Sequence, residues 1–105
     1  MATFQSVYIP TSPGTTTLFN GTILNGANTT ITLGNRTIFA VVVTGGQSNI
    51  RFGNPSKAPT ATAADFPLFA SAIQEWDLGE EFDRFNIFNG SGSTVTYWVY
   101  ALSKT

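Results

Sequence analysis

The chain has 105 residues, 42% of them hydrophobic and 13% aromatic, with a net charge of −1 and neither histidine nor cysteine. That is one domain's length with enough apolar material for a core. Charged residues make up only 10%, and the basic ones (Arg36, Arg51, Lys57, Arg84, Lys104) are scattered, which excludes a nucleic-acid footprint; no apolar run is long enough to cross a membrane, and the lack of cysteine excludes disulfides and thiolate metal sites.

In chain order, Phe4-Gln5-Ser6-Val7-Tyr8-Ile9 reads as a strand stopped by Pro10, and Pro13-Gly14 as a turn. This stretch lacks the basic and apolar regions of a secretory signal, so the expectation is synthesis in a cytosol without export by a cleaved signal. Residues 16–24 read as an extended stretch broken at Asn20-Gly21. Asn25-Gly26 then reads as a hairpin turn, because both residues tolerate positive φ. Residues 29–33 form the next strand, closed by Gly34-Asn35. Residues 38–43 are apolar at every position, which predicts a strand covered on both faces. Gly45-Gly46 turns it back into residues 48–52.

Residues 54–67 read as a loop with three prolines, Pro55, Pro59 and Pro67. Within it residues 60–64 could form a helical turn, but Pro67 prevents a long helix. Residues 68–78 fit no single element cleanly, although their alternation suits a strand with Trp76 and Leu78 inward. Residues 82–88 alternate as well, Asn89-Gly90-Ser91-Gly92 reads as a hairpin loop, and residues 94–102 form the closing strand. The prediction is an all-β fold: a single antiparallel β-sandwich of about eight strands, of jelly-roll type, with residues 1–20 as an extended N-terminal arm.

Without His or Cys, neither a Ser-His nor a Cys-His nucleophile can be assembled. Carboxylate chemistry has as its material Asp65, Glu75, Asp77, Glu80, Glu81 and Asp83, five of them gathered around Gly79. A catalytic pair needs one carboxyl in an apolar pocket, whereas acids around a glycine turn are expected to be solvated. The same loop offers oxygen ligands to calcium, but its order does not match an EF-hand. Gly45-Gly46 and Gly90-Ser91-Gly92 carry no P-loop lysine, and the sequons at Asn20, Asn28, Asn35 and Asn89 are expected by chance in a Thr- and Asn-rich chain. The expectation is no enzyme and no cofactor.

The aromatic side chains remain. Trp76 is expected in the core. Tyr97 and Trp98 point to opposite faces of one strand, so a two-layer sandwich cannot bury both against its own core. Tyr97, Trp98 and Tyr100, with Phe4 and Tyr8 near the N-terminus, are therefore the candidate interface residues. A sugar-stacking platform of Trp76, Tyr97, Trp98 and Tyr100 is the alternative use of the same rings.

The second half of the chain resembles small structural proteins of tailed-bacteriophage virions, of the head-decoration or accessory-capsid type. The resemblance covers residues 38 to 105. It is carried by Val41-Val42-Val43 leading to Ile50-Arg51-Phe52-Gly53, by Ala61-Thr62-Ala63-Ala64-Asp65-Phe66-Pro67-Leu68, by Glu75-Trp76-Asp77-Leu78, by Asp83-Arg84-Phe85-Asn86-Ile87 and by the closing strand. It implies a virion protein made in the host cytoplasm, present in many copies, with the major capsid protein or other virion proteins as partners and neither nucleic acid nor membrane. On physical grounds, apart from the resemblance, Arg51 in the strand ending at Phe52-Gly53 and Asp65 just before Phe66-Pro67 would tie the long loop to the sheet. The function expected is a capsid decoration or cementing protein, with a neck, tail or head-fibre component, or a carbohydrate- or receptor-binding module, as alternatives. The doubly apolar strands at residues 38–43 and 95–102 favour a homo-oligomer.

Overall fold

Residues 16–34, 36–77 and 81–103 are described by a computed structural model, and among them the chain forms eight β-strands and no helix. The strands are β1 (Thr16–Ile23), β2 (Asn28–Thr32), β3 (Arg36–Thr44), β4 (Ser48–Gly53), β5 (Phe66–Leu68), β6 (Gln74–Asp77), β7 (Arg84–Phe88) and β8 (Val95–Ser103). They form two four-stranded antiparallel sheets, a front sheet ordered β1-β8-β3-β6 and a back sheet ordered β2-β7-β4-β5. The two sheets pack face to face, so the fold is the antiparallel β-sandwich that the sequence predicts. The strand expected at residues 4–9, with Phe4 and Tyr8, and the turn at Pro13-Gly14 lie outside the described residues.

Pairing is nested: β1 with β8, β2 with β7, β3 with β6, β4 with β5. Successive strands therefore change sheet almost every time, and only β4 and β5 are neighbours in both sequence and sheet. This corrects the reading of the glycine turns. Asn25-Gly26, Gly45-Gly46 and residues 89–92 are not hairpins; each carries the chain from one sheet to the other, as does the connection at Gly34. The local chemistry is as expected, with Gly26 at φ 82° and Gly45 at φ 99°, where side chains are rarely tolerated. What differs is the partner that the next strand finds.

One buried amide organises these corners. Asn89 is wholly buried and donates from Nδ2 to the carbonyls of Ile23 at 2.8 Å and Ser93 at 2.7 Å. Its Oδ1 accepts from Ser91 N at 3.0 Å, and its carbonyl accepts from Gly26 N at 2.6 Å. The β1–β2 and β7–β8 corners are thereby locked together. With the Asn89 amide so engaged, its sequon is structural.

The core is filled by alternate residues from both sheets: Ile23, Phe39, Val41, Val43, Val95, Tyr97 and Val99 from the front, Ile31, Ile50, Leu68, Phe85 and Ile87 from the back. Phe39 bridges the layers. Its ring stacks on Phe85 of the back sheet at 4.9 Å and 8°, and on Trp76 at 5.5 Å and 25°; Phe52 meets Phe39, Phe85 and Trp76 edge-on. Trp76 thus packs on the core, as expected, while Leu78 lies outside the described residues.

Three local expectations need correction. β1 runs unbroken through Asn20-Gly21, with Gly21 in register with Tyr97. A Cβ at Gly21 would lie 2.8 Å from the Tyr97 hydroxyl oxygen, so the glycine makes room for that ring rather than ending the strand. The long loop stops at Asp65, and Pro67 sits inside β5, which tolerates a proline because it is the outermost strand of its sheet. Residues 60–64 hold no helix; an isolated turn is closed by Asp65 N donating to Thr62 O at 3.0 Å.

Candidate interaction surface

The two outer faces of the sandwich differ in chemistry. On the back sheet the residues alternating with the core positions are Asn28, Thr30 and Thr32 on β2, Arg84, Asn86 and Phe88 on β7, and Asn49 and Arg51 on β4. Residues 54–65 cross this face and are hydrogen-bonded to it. Asn86 Oδ1 accepts from Ala61 N at 2.8 Å and from Asn28 Nδ2 at 2.7 Å, while Asn28 Nδ2 also donates to Ala61 O at 3.0 Å. Asn86 Nδ2 donates to Thr30 Oγ1 at 2.9 Å. Asn49 Nδ2 donates to Asp65 O at 2.8 Å. The result is a strap under which Asn86 is only 4% exposed and Ala61 is buried.

Arg51 and Asp65 form the tie expected from their places in the strand and the loop. Arg51 Nε donates to Asp65 Oδ1 at 3.0 Å, with a second contact of 3.0 Å from the guanidinium, and Asp65 Oδ2 accepts from Thr62 N at 2.7 Å. The Thr62 N–H first, and then Arg51, hold the Asp65 carboxyl below its ordinary range. Close packing finishes the strap: a Cβ at Gly53 would lie 2.4 Å from Lys57 O.

The front sheet has no such cover among the described residues. Its outward positions are Asn20 and Thr22 on β1, Thr96, Trp98 and Tyr100 on β8, Ala40, Val42 and Thr44 on β3, and Glu75 and Asp77 at the β6 margin. Across the middle of this face no described side chain is charged. Trp98 is in register with Val42, and Tyr100 with Ala40, so the two residues sit about 7 Å apart along one strand, on the same face. Ala40, Val42, Ile73 and Tyr100 line a shallow apolar recess of about 50 Å³. Tyr100 is 37% and Ile73 46% exposed.

Ile73 reaches this face because the β5–β6 connection is braced. Ser71 N donates to Val43 O at 2.7 Å, with Ser71 at φ 63°, and Gln74 Oε1 accepts from Phe69 N at 3.0 Å. Phe69 at the start of this connection and Phe66 at the start of β5 are both more than half exposed. Phe66 stands edge-on to Trp76 at 5.9 Å.

Of the five candidate interface residues, the structure brings Trp98 and Tyr100 together on the front face and removes Tyr97 from it. Tyr97 is 8% exposed and belongs to the core, because Gly21 opposite leaves space for its ring inside the sandwich. A stacking platform that includes Tyr97 or Trp76 with Trp98 is not formed, since the first two face inward. Phe4 and Tyr8 lie outside the described residues. Sequence reasoning missed Val42 and Ile73 as surface partners of Tyr100, and Ala40, only 3% exposed, as a residue lining their recess. It also missed the strap's amides, whose signal was available: Asn28, Asn49 and Asn86 fall on one face of adjacent strands, an amide density suited to holding a crossing backbone.

The acidic stretch does not assemble into a site among the described residues, where no group of three or more acidic side chains is placed to hold a metal ion. Asp83 is paired with Arg84 at 2.8 Å, which lowers its carboxyl pKa, and residues 78–80 lie outside the described residues. No helix is long and apolar enough to cross a membrane among the described residues. Compared with models of protein families, with characterised proteins and with solved structures, the chain matches none.

Proposed function

We propose that this chain is a non-enzymatic structural subunit of a larger assembly, docked through the outer face of its front sheet, and that the assembly is a tailed-phage virion. The observation that carries docking is the asymmetry of the sandwich: its polar outer face is strapped by residues 54–65, while its apolar, centrally uncharged face is left bare with Trp98, Tyr100 and Ile73 on it. Contiguous exposed apolar surface marks an interaction site, and aromatic rings with few charges are the composition of interface centres. An overall charged content of 10% fits a protein whose surface is largely covered in use.

The virion part rests on the sequence resemblance and on architecture. The nested pairing supports a jelly-roll reading of the sandwich, and jelly rolls recur in viral coats and in lectins. A decoration or cementing role on the head is the simplest form, with neck, tail or head fibre as other positions in the same particle. The test is to measure the purified protein by light scattering and then sediment it with head particles prepared without it. Co-sedimentation at a fixed ratio per particle supports the reading; a protein that stays in the supernatant at all concentrations contradicts it.

A second reading is favoured by one observation. Trp98 and Tyr100 lie two residues apart on the same outer face of β8, where two aromatic rings could stack on a glycan. Tryptophan fluorescence titrated with oligosaccharides separates the two: saturable quenching supports the glycan, and an unchanged spectrum dismisses it.

A further inference from the structure

One row of residues crosses the front sheet at the apolar recess. Tyr100 of β8 is in register with Ala40 of β3, and Ala40 with Glu75 of β6, so all three occupy the outer face of adjacent strands. Neighbouring strands lie about 4.8 Å apart, which puts Tyr100 and Glu75 on either side of an alanine too small to fill the gap. Ala40 is the floor, Tyr100 forms one wall, and Ile73, two residues before Glu75, lines the other side. The space is about 50 Å³. A cavity of roughly 150 Å³ holds a benzene ring, so this recess admits a run of methylenes and no aromatic knob.

Glu75 is partly exposed. Among the described residues its carboxylate makes no ion pair and no hydrogen bond, whereas Asp65 and Asp83 are paired with Arg51 and Arg84. The charge is tolerated while water reaches it. Docking through this face removes that water, and a carboxylate buried without a partner is strongly destabilising. An uncharged partner is thereby penalised and a cationic one selected.

We propose that the recess receives an arginine side chain of the partner, its methylenes over Ala40 between Tyr100 and Ile73 and its guanidinium on the Glu75 carboxylate. This rests on the docking reading above and names what the partner presents. Arginine suits the place better than lysine. Its planar guanidinium stacks on a tyrosine ring, forms paired hydrogen bonds with a carboxylate, and is more weakly hydrated than an ammonium. The apolar walls lower the local dielectric and strengthen the pair.

The probe is N-acetylarginine amide, which carries the side chain without charged termini, titrated into the full chain and followed by NMR. Saturable shifts are expected at Ala40, Val42, Ile73 and Tyr100, weakening as salt is raised. N-acetylcitrulline amide, nearly the same shape without the charge, is expected to give none. Glu75→Gln keeps the side chain's size and breaks no ion pair or hydrogen bond. It is expected to melt like the parent and to lose the arginine shifts. No saturable shift at these residues, equal shifts from citrulline, or shifts retained in Glu75→Gln overturns the proposal. Shifts from an oligosaccharide with none from the arginine probe overturn it in favour of a glycan.

Sedimentation with head particles separates this proposal from the docking reading. Glu75→Gln is expected to lose the binding that the parent shows. Binding by Glu75→Gln equal to the parent's overturns the arginine and leaves the docking face standing. Arginine shifts that depend on Glu75, with no particle binding by the parent, remove the assembly reading and leave the recess its arginine.

Discussion

The side-chain carbonyl of Asn86 holds the backbone N–H of Ala61 at 2.8 Å across the outer face of the back sheet. That bond, with the Asn28 amide clamped between the same two residues, closes one side of the sandwich with the chain's own loop. The outer face of the front sheet has no such cover among the described residues.

Replacing Asn86 by Ala strands the Ala61 N–H and frees the Asn28 amide under the strap. A buried donor left unsatisfied costs about 1–3 kcal/mol, and more than one group is affected. We predict a loss near the top of that range in urea unfolding, with increased proteolysis within residues 54–65. Arg51→Ala, acting on an exposed guanidinium, should cost less than about 1 kcal/mol.

The strap should also loosen in acid. The Asp65 carboxyl titrates below the ordinary aspartate range in the folded protein, so the unfolded chain binds its proton first as pH falls. The stabilisation is therefore complete above that range and disappears as pH drops through the lower, folded pKa. Asp83, lowered by Arg84, contributes in the same window. Thermal melts from pH 5 to pH 2 should show a shallower decline for Asp65→Asn than for the parent; identical slopes would remove Asp65 from the account.

Much of this was legible in the strand patterns, and the rest was hidden for identifiable reasons. Alternation placed Phe85 with Ile87 and separated Tyr97 from Trp98, but it could not say which of the last two faced inward. That was decided by Gly21 on another strand. Turn chemistry was legible at Gly26 and Gly45, yet a positive φ serves a hairpin and a corner between sheets equally well. Asn86 sits at an outward position in its strand and reads as exposed; a loop distant in sequence buries it. The Arg51–Asp65 tie was legible from an Arg at the end of one strand and an Asp just before Phe66-Pro67.

Ser48 provides a test of the packing. Its hydroxyl is fully buried with no hydrogen-bond partner among the described residues. Removing an unsatisfied polar atom relieves a desolvation cost, so Ser48→Ala should be neutral or stabilising in chemical denaturation. A loss above about 1 kcal/mol would mean that the hydroxyl has a partner.

Phe39, stacked between Phe85 and Trp76, is the residue on which the two sheets meet. Phe39→Ala should cost about 3–5 kcal/mol, enough to unfold a marginal domain, whereas Phe39→Leu should retain a cooperative transition at lower temperature. Equal melting of the parent and Phe39→Ala would show that the core does not depend on this stack.

The central claim, that the front sheet is the docking face, is tested most directly by charging each face in turn and sedimenting the variants with head particles. Tyr100→Arg and Ile73→Arg replace exposed side chains in the bare face, and Thr32→Arg does the same at the exposed edge strand of the back sheet. All three should melt close to the parent. The account predicts that the first two lose particle binding and the third keeps it. Binding by Tyr100→Arg and Ile73→Arg at the parent's level, with loss in Thr32→Arg, would contradict it.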